Sequence, residues 1–237
     1  MNIYNSEFYN TYKNVSLNSA NELVPIITKI LNPKSVLDIG CGVGTWLKQF
    51  QDAGITDYNG VDGPYVKKEQ FLANKDKLIH HDLQTTLDLQ KKYDIVISLE
   101  VAEHIDEKYA DIFIDNLTRH SDCIVMSAAI PLQGGTYHVN EQWPDYWIRK
   151  MNIKGFKVYD LLRPIIWNNS AIDYYYRQNI LVYSKFDIKV DSCMNQNFYS
   201  FVHPEKWLQS RNYKNQSLKF VLKALPYSIV NAIKNRL

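Results

Sequence analysis

The sequence predicts an α/β fold in which helices cover both faces of a mostly parallel, doubly wound sheet. The first reason is that short apolar runs alternate with helix-like segments from residue 35 to residue 128, a pattern typical of such sheets. The second is a turn with three alternate glycines, Gly40, Gly42 and Gly44. It follows a short apolar run and precedes an apolar-periodic segment, which indicates a buried strand, a tight turn and a helix.

The individual elements are predicted from apolar period and from capping and breaking residues. A first helix is expected from Asn18 or Ser19, either of which could cap it, to about Leu31, where Asn32-Pro33 ends it. The elements that follow are strand 35–39, helix 45–53, strand 58–62, helix 66–74, strand 77–81, strand 93–99, helix 107–119, strand 122–128, helix 144–152, strand 156–161 and strand 174–183.

Composition places the chain among ordinary globular proteins. Its 237 residues have 46% hydrophobic and 22% charged side chains and a net charge of +2, which is too mild to favour nucleic acid as a partner. Three unevenly spaced cysteines indicate a reducing, cytoplasmic compartment rather than a disulfide framework. The N-terminus does not resemble a signal peptide, and no apolar run approaches the ~20 residues of a membrane span.

Two acids follow the glycine turn at the ends of later predicted strands. Asp62 lies 22 residues after Gly40, near the offset at which nucleotide-binding folds place a carboxylate on a ribose. Asp82 ends the third strand. In Leu37-Asp-Ile-Gly-Cys-Gly-Val-Gly44, Val61-Asp62 and His81-Asp82-Leu83, the chain resembles the class I S-adenosylmethionine-dependent methyltransferases. A nicotinamide-binding fold is the competing use of the turn, but it prefers glycine at position 45, which is Thr45 here.

The resemblance implies a seven-stranded sheet whose last two strands, 155–161 and 178–184, form a hairpin with one antiparallel strand. It covers residues 16–185, so that residues 1–15 would be an arm or lid and residues 186–237 a helical appendage. S-adenosylmethionine is the implied cofactor, with the glycines against its methionine part, Asp62 on the ribose hydroxyls, Asp82 on the adenine amino group, and Asp38 ordering the glycine turn or meeting the methionine amino group. The expected cofactor-binding residues are Asp38, Gly40, Gly42, Gly44, Thr45, Trp46, Asp62, Gly63, Asp82, Leu83 and Leu99.

A carboxylate and imidazole cluster follows the fourth predicted strand. If a helical turn begins at Glu100, then Glu100, Glu103 and His104 share one face, a set that suits a divalent cation. Glu-x-x-Glu-His also resembles the metal motif of ubiquinone-pathway catechol O-methyltransferases and of small-RNA 3′-end methyltransferases. In the latter group a later histidine completes the site, and His138 is the candidate here for holding Mg²⁺ or Mn²⁺. Without a metal, His104 or His138 would be the general base, and the candidate catalytic residues are His104, His138 and Glu141.

The stretch 131–147 lies directly after the fifth predicted strand, where open α/β sheets form their ligand crevice. A sugar would suit its polar and aromatic side chains, which offer flat faces and polar edges: Glu141, Gln142, Trp143, Tyr146 and Trp147. The alternative is that the aromatic side chains only anchor the loop itself. The segments around Ser127 and His138 resemble a bacterial subgroup that acts in capsule, lipopolysaccharide or other surface-glycan biosynthesis. The expected reaction is O-methylation of a small polar acceptor such as a sugar nucleotide or glycan precursor. The alternatives are metal-dependent 2′-O-methylation of an RNA 3′ end and a non-catalytic cofactor-binding scaffold.

The C-terminal segment is basic and has apolar residues at helical spacing. From Glu205 to the end there are seven Lys or Arg against one acid, and Pro226 interrupts the apolar periodicity. The segment 216–237 could pack on the domain or on a partner subunit. The alternative is peripheral contact with an anionic membrane at the inner face. The oligomeric state is left open.

Overall fold

The computed structural model describes residues 6–189 and 199–211, and the side chains of residues 16–189 and 199–209. Its helices are α1 (Ser6–Leu31), α2 (Thr45–Asp52), α3 (Ala110–His120), α4 (Pro144–Ile153), α5 (Arg163–Ile166), α6 (Tyr174–Asn179) and α7 (Pro204–Arg211). Its strands are β1 (Ser35–Ile39), β2 (Asp57–Asp62), β3 (Leu78–His80), β4 (Ile95–Leu99), β5 (Cys123–Ser127), β6 (Lys157–Tyr159) and β7 (Leu181–Ser184).

The seven strands form one sheet in the order β3-β2-β1-β4-β5-β7-β6. The strands from β3 to β5 pair in parallel, and β7 runs antiparallel to both of its neighbours. The chain crosses from the β1–β2–β3 side to the β4–β5 side next to β1, which opens a crevice at the carboxyl ends of the central strands. The predicted doubly wound, mostly parallel sheet with a terminal hairpin is therefore confirmed.

Helices bury both faces of the sheet. On one face, α1 and α2 contribute Leu23, Ile27 and Phe50 to an apolar core. On the other, α3 and α4 contribute Phe113 and Met151 to a second core. Strands β1, β4 and β5 are buried along their whole length, because a central strand covered on both faces has no solvent side. This rigid centre fixes the loops that follow β1 and β4.

Two predicted helices differ from the structure. The first begins at Ser6 rather than at Asn18 or Ser19; the Ser19 hydroxyl bonds the Asp173 carboxylate, so it makes a tertiary contact instead of a cap. Residues 66–74 are not an α-helix: 3₁₀ turns form at Lys68–Gln70 and Lys75–Lys77. The segment is tied to the glycine turn, since the Leu72 N–H donates to the Val43 carbonyl.

The last predicted strand is also wrong in its first half, where residues 174–179 form α6. Its aromatic run favours a strand by composition, but β7 begins only at Leu181, which pairs with Met126 of β5. Because β5 ends one residue later, at Ser127, a longer β7 would have no partner there. The available partner strand, and not local preference, sets the boundary.

The chain divides into two compact units, Met1–Phe201 and Val202–Leu237. The first contains the whole sheet, and the second contains α7 among its described residues. None of the described helices is long and apolar enough to cross a membrane. The predictions for residues 1–5, for Cys193 and for the basic segment 216–237 concern positions outside the described residues, and the arm or lid at 1–15 stays a prediction.

Candidate active site

A cavity of about 740 Å³ lies at the carboxyl ends of the central strands. Its volume is in the range of sites for cofactors and small molecules. One side is built from the loops after β1, β2 and β3, and the other from the loop after β4, the stretch after β5 and α6. Residues predicted to bind cofactor and two of the predicted catalytic residues, His104 and His138, therefore share one cavity, whereas Glu141 does not line it. The predicted residues that line it are Asp38, Gly40, Gly42, Thr45, Trp46, Asp62, Gly63, Asp82, Leu83, Leu99, Glu100, Glu103, His104 and His138.

The glycine turn requires glycine at two of its positions. Gly40 has φ +85°, and a Cβ there would lie 2.3 Å from Val101 Cγ2. Gly44 has φ +76°, and a Cβ there would lie 2.5 Å from the Phe71 ring. Both conformations are rare for residues with a side chain. Gly44 does not itself line the cavity; it lets the chain turn into α2 beneath Phe71.

Asp62 ties the glycine turn to the end of β2. Its Oδ2 accepts from the Gly42 N–H at 2.6 Å, and its Oδ1 accepts from the Gly63 N–H at 2.7 Å and the Tyr65 hydroxyl at 2.5 Å. Burial raises the pKa of Asp62, and these hydrogen bonds act against that rise. The carboxylate is thus held in one orientation at the cavity wall.

Asp38 is a buried carboxylate whose hydrogen bonding is incomplete. Only 2% of the residue is exposed, and its Oδ2 has no hydrogen-bond partner. Burial raises its pKa well above the usual range, and the nearby charge of Asp62 adds to the rise. A cation placed against Asp38 would reverse this cost, because it would pair with the charged form. The Asp38 site therefore fits a positively charged group such as an amino group.

Three predicted ligand residues lie together on the other side of the cavity. Ligand atoms of Glu103, His104 and His138 all lie within 4.8 Å of one another, and the rings of His104 and His138 meet edge to face at 4.9 Å. Glu103 is fully buried, and both of its carboxylate oxygens are without a hydrogen-bond partner. Burial raises its pKa well above the usual range, and the charge of Glu100 adds to the rise.

The two histidines have defined tautomers in their neutral forms. His104 Nδ1 lies 3.2 Å from the Tyr137 carbonyl, and His138 Nδ1 lies 2.8 Å from Glu141 Oε1. A carbonyl or carboxylate can only accept, so each Nδ1 carries the hydrogen and each Nε2 offers a lone pair. Burial, with a contribution from His138, lowers the pKa of His104 to about 4. His138 Nε2 lies 4.0 Å from Glu103 Oε1.

Glu100 is not part of this cluster. The expected helical turn is absent, because Glu100 has φ +56° and the following 3₁₀ turn spans only Ala102–His104. Its carboxylate instead accepts from Gln133 Nε2 at 2.8 Å and Asn179 Nδ2 at 3.1 Å. Burial raises its pKa, and these two amides act against the rise. The prediction that Glu100, Glu103 and His104 share one helical face is therefore wrong.

The aromatic lining comes from a different segment than expected. The sequence predicts that Trp143 and Tyr146 meet the ligand, but neither lines the cavity, and Trp147 beside them is buried in the core. The lining includes instead Tyr65 and the run 174–176 at the start of α6. The prediction missed this run because it assigned the tyrosines to a strand; Asp173 before them, a residue type common at helix starts, was the available signal.

Arg163 and Arg177 are structural. Arg163 is 2% exposed, forms a bidentate pair with Asp160 at 2.9 and 2.7 Å, and donates to the Tyr199 carbonyl. Arg177 is buried and donates to the Trp167 carbonyl. Neither lines the cavity. Both side chains are therefore used inside the fold and not in the cavity.

Comparisons with known proteins agree with the fold described above. Residues 17–127 match a family model described as a methyltransferase domain. The fold is similar to that of magnesium protoporphyrin IX methyltransferase from Synechocystis PCC 6803, solved with bound SAH, with a TM-score of 0.51, 19% identity, and coverage of 73% of this chain and 86% of that chain. It is also similar to an O-methyltransferase family protein from Burkholderia thailandensis, with a TM-score of 0.54, 14% identity, and coverage of 74% and 59%. The search of curated proteins gives no match.

The fold and the site together define a nucleotide-type cofactor site at the switch point of a doubly wound sheet. Residues 17–127, slightly less than half of the chain, are similar to a methyltransferase domain.

Proposed function

We propose that the chain is an O-methyltransferase that acts on a hydroxyl of a small polar acceptor, such as a sugar nucleotide or another surface-glycan precursor. The observation that carries the proposal is the cluster of Glu103, His104 and His138 in the same cavity as the glycine turn. While the hydroxyl oxygen attacks the methyl carbon, another group must either accept the hydroxyl proton or lower the pKa of the hydroxyl. This cluster supplies such a group.

His138 and Glu141 are arranged to accept that proton. With its hydrogen on Nδ1 held by Glu141 at 2.8 Å, His138 presents the Nε2 lone pair to the cavity. As the acceptor oxygen bonds to the methyl carbon, Nε2 would take the hydroxyl proton, and the Glu141 carboxylate would stabilise the imidazolium. The positive sulfonium becomes a neutral thioether in the same step. The balance of charge therefore needs only one proton acceptor.

The same three residues also fit a divalent cation. Glu103 has two buried oxygens without a partner, and ring nitrogens of His104 and His138 lie with a Glu103 oxygen within 4.8 Å of one another. The carbonyl and carboxylate behind the imidazoles are the kind of partners that orient histidine ligands. Glu103, His104 and His138 would hold Mg²⁺ or Mn²⁺, with Glu100 outside the set. A bound cation of this kind lowers the pKa of a coordinated hydroxyl and fixes its position.

On the cofactor side, the proposal assigns each polar group to one part of S-adenosylmethionine. The turn at Gly40 and Gly42 allows main chain to approach the methionine part. The unpaired oxygen of Asp38 suits the methionine amino group, the carboxylate of Asp62 suits the ribose hydroxyls, and Asp82 suits the adenine amino group. Thr45, Trp46, Gly63, Leu83 and Leu99 complete the lining.

The test is methyl transfer from labelled S-adenosylmethionine to a panel of sugar nucleotides, glycan precursors and an RNA oligonucleotide with a free 3′ end. We expect transfer to a hydroxyl of a sugar compound. His138→Asn should lower kcat by about 10²- to 10⁴-fold, the usual contribution of a general base. His80→Gln removes an imidazole outside the cavity lining and serves as the matched control.

A chelator separates the two uses of the cluster. If a cation is required, excess chelator abolishes transfer and Mg²⁺ or Mn²⁺ restores it. Full activity in chelator, with loss in His138→Asn, leaves the imidazole as the base. Activity in His138→Asn equal to that of the control would refute both. Methylation of the RNA alone would replace the sugar acceptor with the RNA alternative.

A further inference from the structure

Four aromatic rings form a continuous row along one wall of the cavity. Trp46 meets Tyr176 at 5.1 Å, Tyr176 meets Tyr175 at 4.6 Å, and Tyr175 meets Tyr174 at 5.5 Å between ring centroids. All four rings line the cavity; Trp46 and Tyr176 are buried and anchor the row, whereas Tyr174 and Tyr175 are only partly buried. The row thus starts at α2, beside the glycine turn, and presents two ring surfaces to a ligand.

Helix α6, which carries three rings of the row, is bonded to the segment after β4. Asn179, at the end of α6, donates to Glu100 Oε1 at 3.1 Å. Burial and the neighbouring Tyr176 and Asp173 raise the pKa of Tyr175, and the charge of Glu100 adds to the rise. Tyr175 therefore stays protonated and serves as a neutral ring with a donor hydroxyl.

The side chains that line the cavity include several acids. Among the described residues, the lining includes five carboxylates, Asp38, Asp62, Asp82, Glu100 and Glu103, and neither lysine nor arginine. Anionic groups on ligands are ordinarily met by such cations, arginine above all. Apart from the imidazoles of His81, His104 and His138, the described walls have no side chain that could pair with a negatively charged group on the reacting ring.

We propose that Tyr174 and Tyr175 form a platform for the acceptor ring and that the ring selected there carries no negative charge. The ring is a neutral sugar or a neutral arene with a free hydroxyl, since both offer an apolar face to stack and a polar edge. Phosphates of a sugar nucleotide would then lie outside the cavity. This inference rests on the proposed function and narrows its acceptor.

The test compares pairs of compounds that differ only in charge. One pair is a nucleoside-diphosphate hexuronate and its hexuronamide; the other is a dihydroxybenzoate and its benzamide. Binding is measured by calorimetry to the protein with S-adenosylhomocysteine and Mg²⁺. We expect the amide of at least one pair to bind at least tenfold more tightly than its acid. The pair that binds tells a sugar ring from an arene.

Variants assign the selection to the named residues. Tyr175→Leu removes the ring and should weaken amide binding about tenfold, whereas Tyr175→Phe keeps the ring and should bind within about threefold of the parent. Both should keep the parent affinity for S-adenosylhomocysteine, which also shows that they are folded. Glu100→Gln should narrow the difference between acid and amide. Asp76→Asn removes an exposed acid outside the lining and should leave the difference unchanged.

The outcomes separate this inference from the proposed function. Equal or tighter binding of the acids, failure of both amides to bind, or an unchanged amide affinity in Tyr175→Leu would overturn the platform, even if methyl transfer to another hydroxyl is observed. Selective amide binding without methyl transfer to any acceptor would instead refute the proposed function. A loss of S-adenosylhomocysteine binding in Tyr175→Leu, with binding kept in Tyr175→Phe, would assign the ring to the cofactor and overturn the inference.

Discussion

Gly135 shows how closely the backbone approaches the catalytic cluster. A Cβ at this position would lie 2.2 Å from His138 Nε2, which is shorter than any tolerated contact. His138 is held on its other side by Glu141, so its ring cannot yield without breaking that hydrogen bond. The glycine is required here for the position of one imidazole rather than for a positive φ.

We therefore predict that Gly135→Ala lowers activity at least tenfold while the unfolding midpoint changes little, because the clash meets the end of a side chain and not the core. Methyl transfer and thermal unfolding, measured on the same preparation, check this. Gly134→Ala is not a suitable control, since Gly134 has φ +73°. A better one is Thr136→Ala, which alters the same stretch without adding an atom. Full activity in Gly135→Ala would contradict the assignment of His138.

Asp38 provides a prediction about pH. Burial raises its pKa in the folded protein above the unfolded value, so between the two values the folded state binds the proton that the unfolded state has lost. Stability then falls as pH rises through this range. Asp38→Asn removes the effect, and we expect the cofactor-free variant to gain ~1–3 kcal/mol over the parent at pH 8, with a smaller gain at pH 4.

Urea unfolding at the two pH values measures the difference in stability between Asp38→Asn and the parent. Calorimetry measures the expected loss of affinity for S-adenosylmethionine. Because Asn is neutral, it cannot form an ion pair with the methionine amino group. S-adenosylmethionine should therefore bind at least tenfold more weakly to Asp38→Asn. A variant that is less stable than the parent at pH 8 would show that the carboxylate is satisfied in the folded state. Unchanged cofactor affinity would remove Asp38 from the methionine site.

Among the elements, the stretch after β5 depends on a single carboxylate. Glu141 accepts from the Leu132 N–H and the Gly134 N–H, each at 2.8 Å, and from His138. Leu132 and Tyr137 have positive φ, a conformation that costs free energy in residues with side chains. Glu141 thus fixes the shape of this stretch, which we call the crevice loop (residues 131–143), in addition to orienting the imidazole.

Glu141→Ala should free the crevice loop without unfolding the sheet. Two amides would lose a charged acceptor, and we expect hydrogen exchange at Leu132 and Gly134 to accelerate at least tenfold, since a bond to a charged group contributes about 1.5–3 kcal/mol. The control is Gln142→Ala. Among the described residues, the side-chain amide of Gln142 donates only to the Asn140 side chain. Equal exchange rates in the two variants would contradict this role of Glu141.

The elements that the sequence predicts well are those fixed by burial on both sides. Strand β1 and the turn at Gly40 follow from an apolar run and from glycines, because a central strand and a left-handed turn allow few other residues. Helix α6 could not be predicted, since its start depends on where β5 ends. Likewise, His138 and Glu103 are 35 residues apart in the sequence and are brought together only by the tertiary structure. The sequence indicates the residue types but not their proximity.

Glu100 shows the same limit within the candidate site. Sequence spacing places it with Glu103 and His104 only if the backbone is helical from residue 100, and local propensity does not decide this. The structure gives Glu100 a left-handed conformation and two amide partners, Gln133 and Asn179, from distant segments. Contacts between residues 79 positions apart in the chain decide its orientation, and no window of sequence contains them.

At the scale of the whole molecule, the sheet, the cavity and the buried Arg163 pair all belong to the unit Met1–Phe201. Tyr199 and Phe201 are needed in that unit: the Tyr199 carbonyl accepts from Arg163, and the Phe201 ring lies 5.1 Å from its guanidinium. A chain cut before residue 199 would leave a buried guanidinium with fewer partners, which is costly. Among the described residues, Phe201 is the last that contacts Arg163, and the boundary of the unit lies at the same residue.

We predict that a chain ending at Phe201 folds and binds S-adenosylmethionine within about threefold of the full-length affinity, whereas a chain ending at Phe198 is destabilised by ~1–3 kcal/mol through the lost carbonyl and ring contacts at Arg163. Circular dichroism and calorimetry on both truncations check this, with the full-length protein as reference. The basic segment 216–237 is absent from both, so sedimentation with anionic vesicles should detect binding only for the full-length chain if this segment contacts a membrane. Failure of the chain ending at Phe201 to fold would show that the C-terminal unit belongs to the same core.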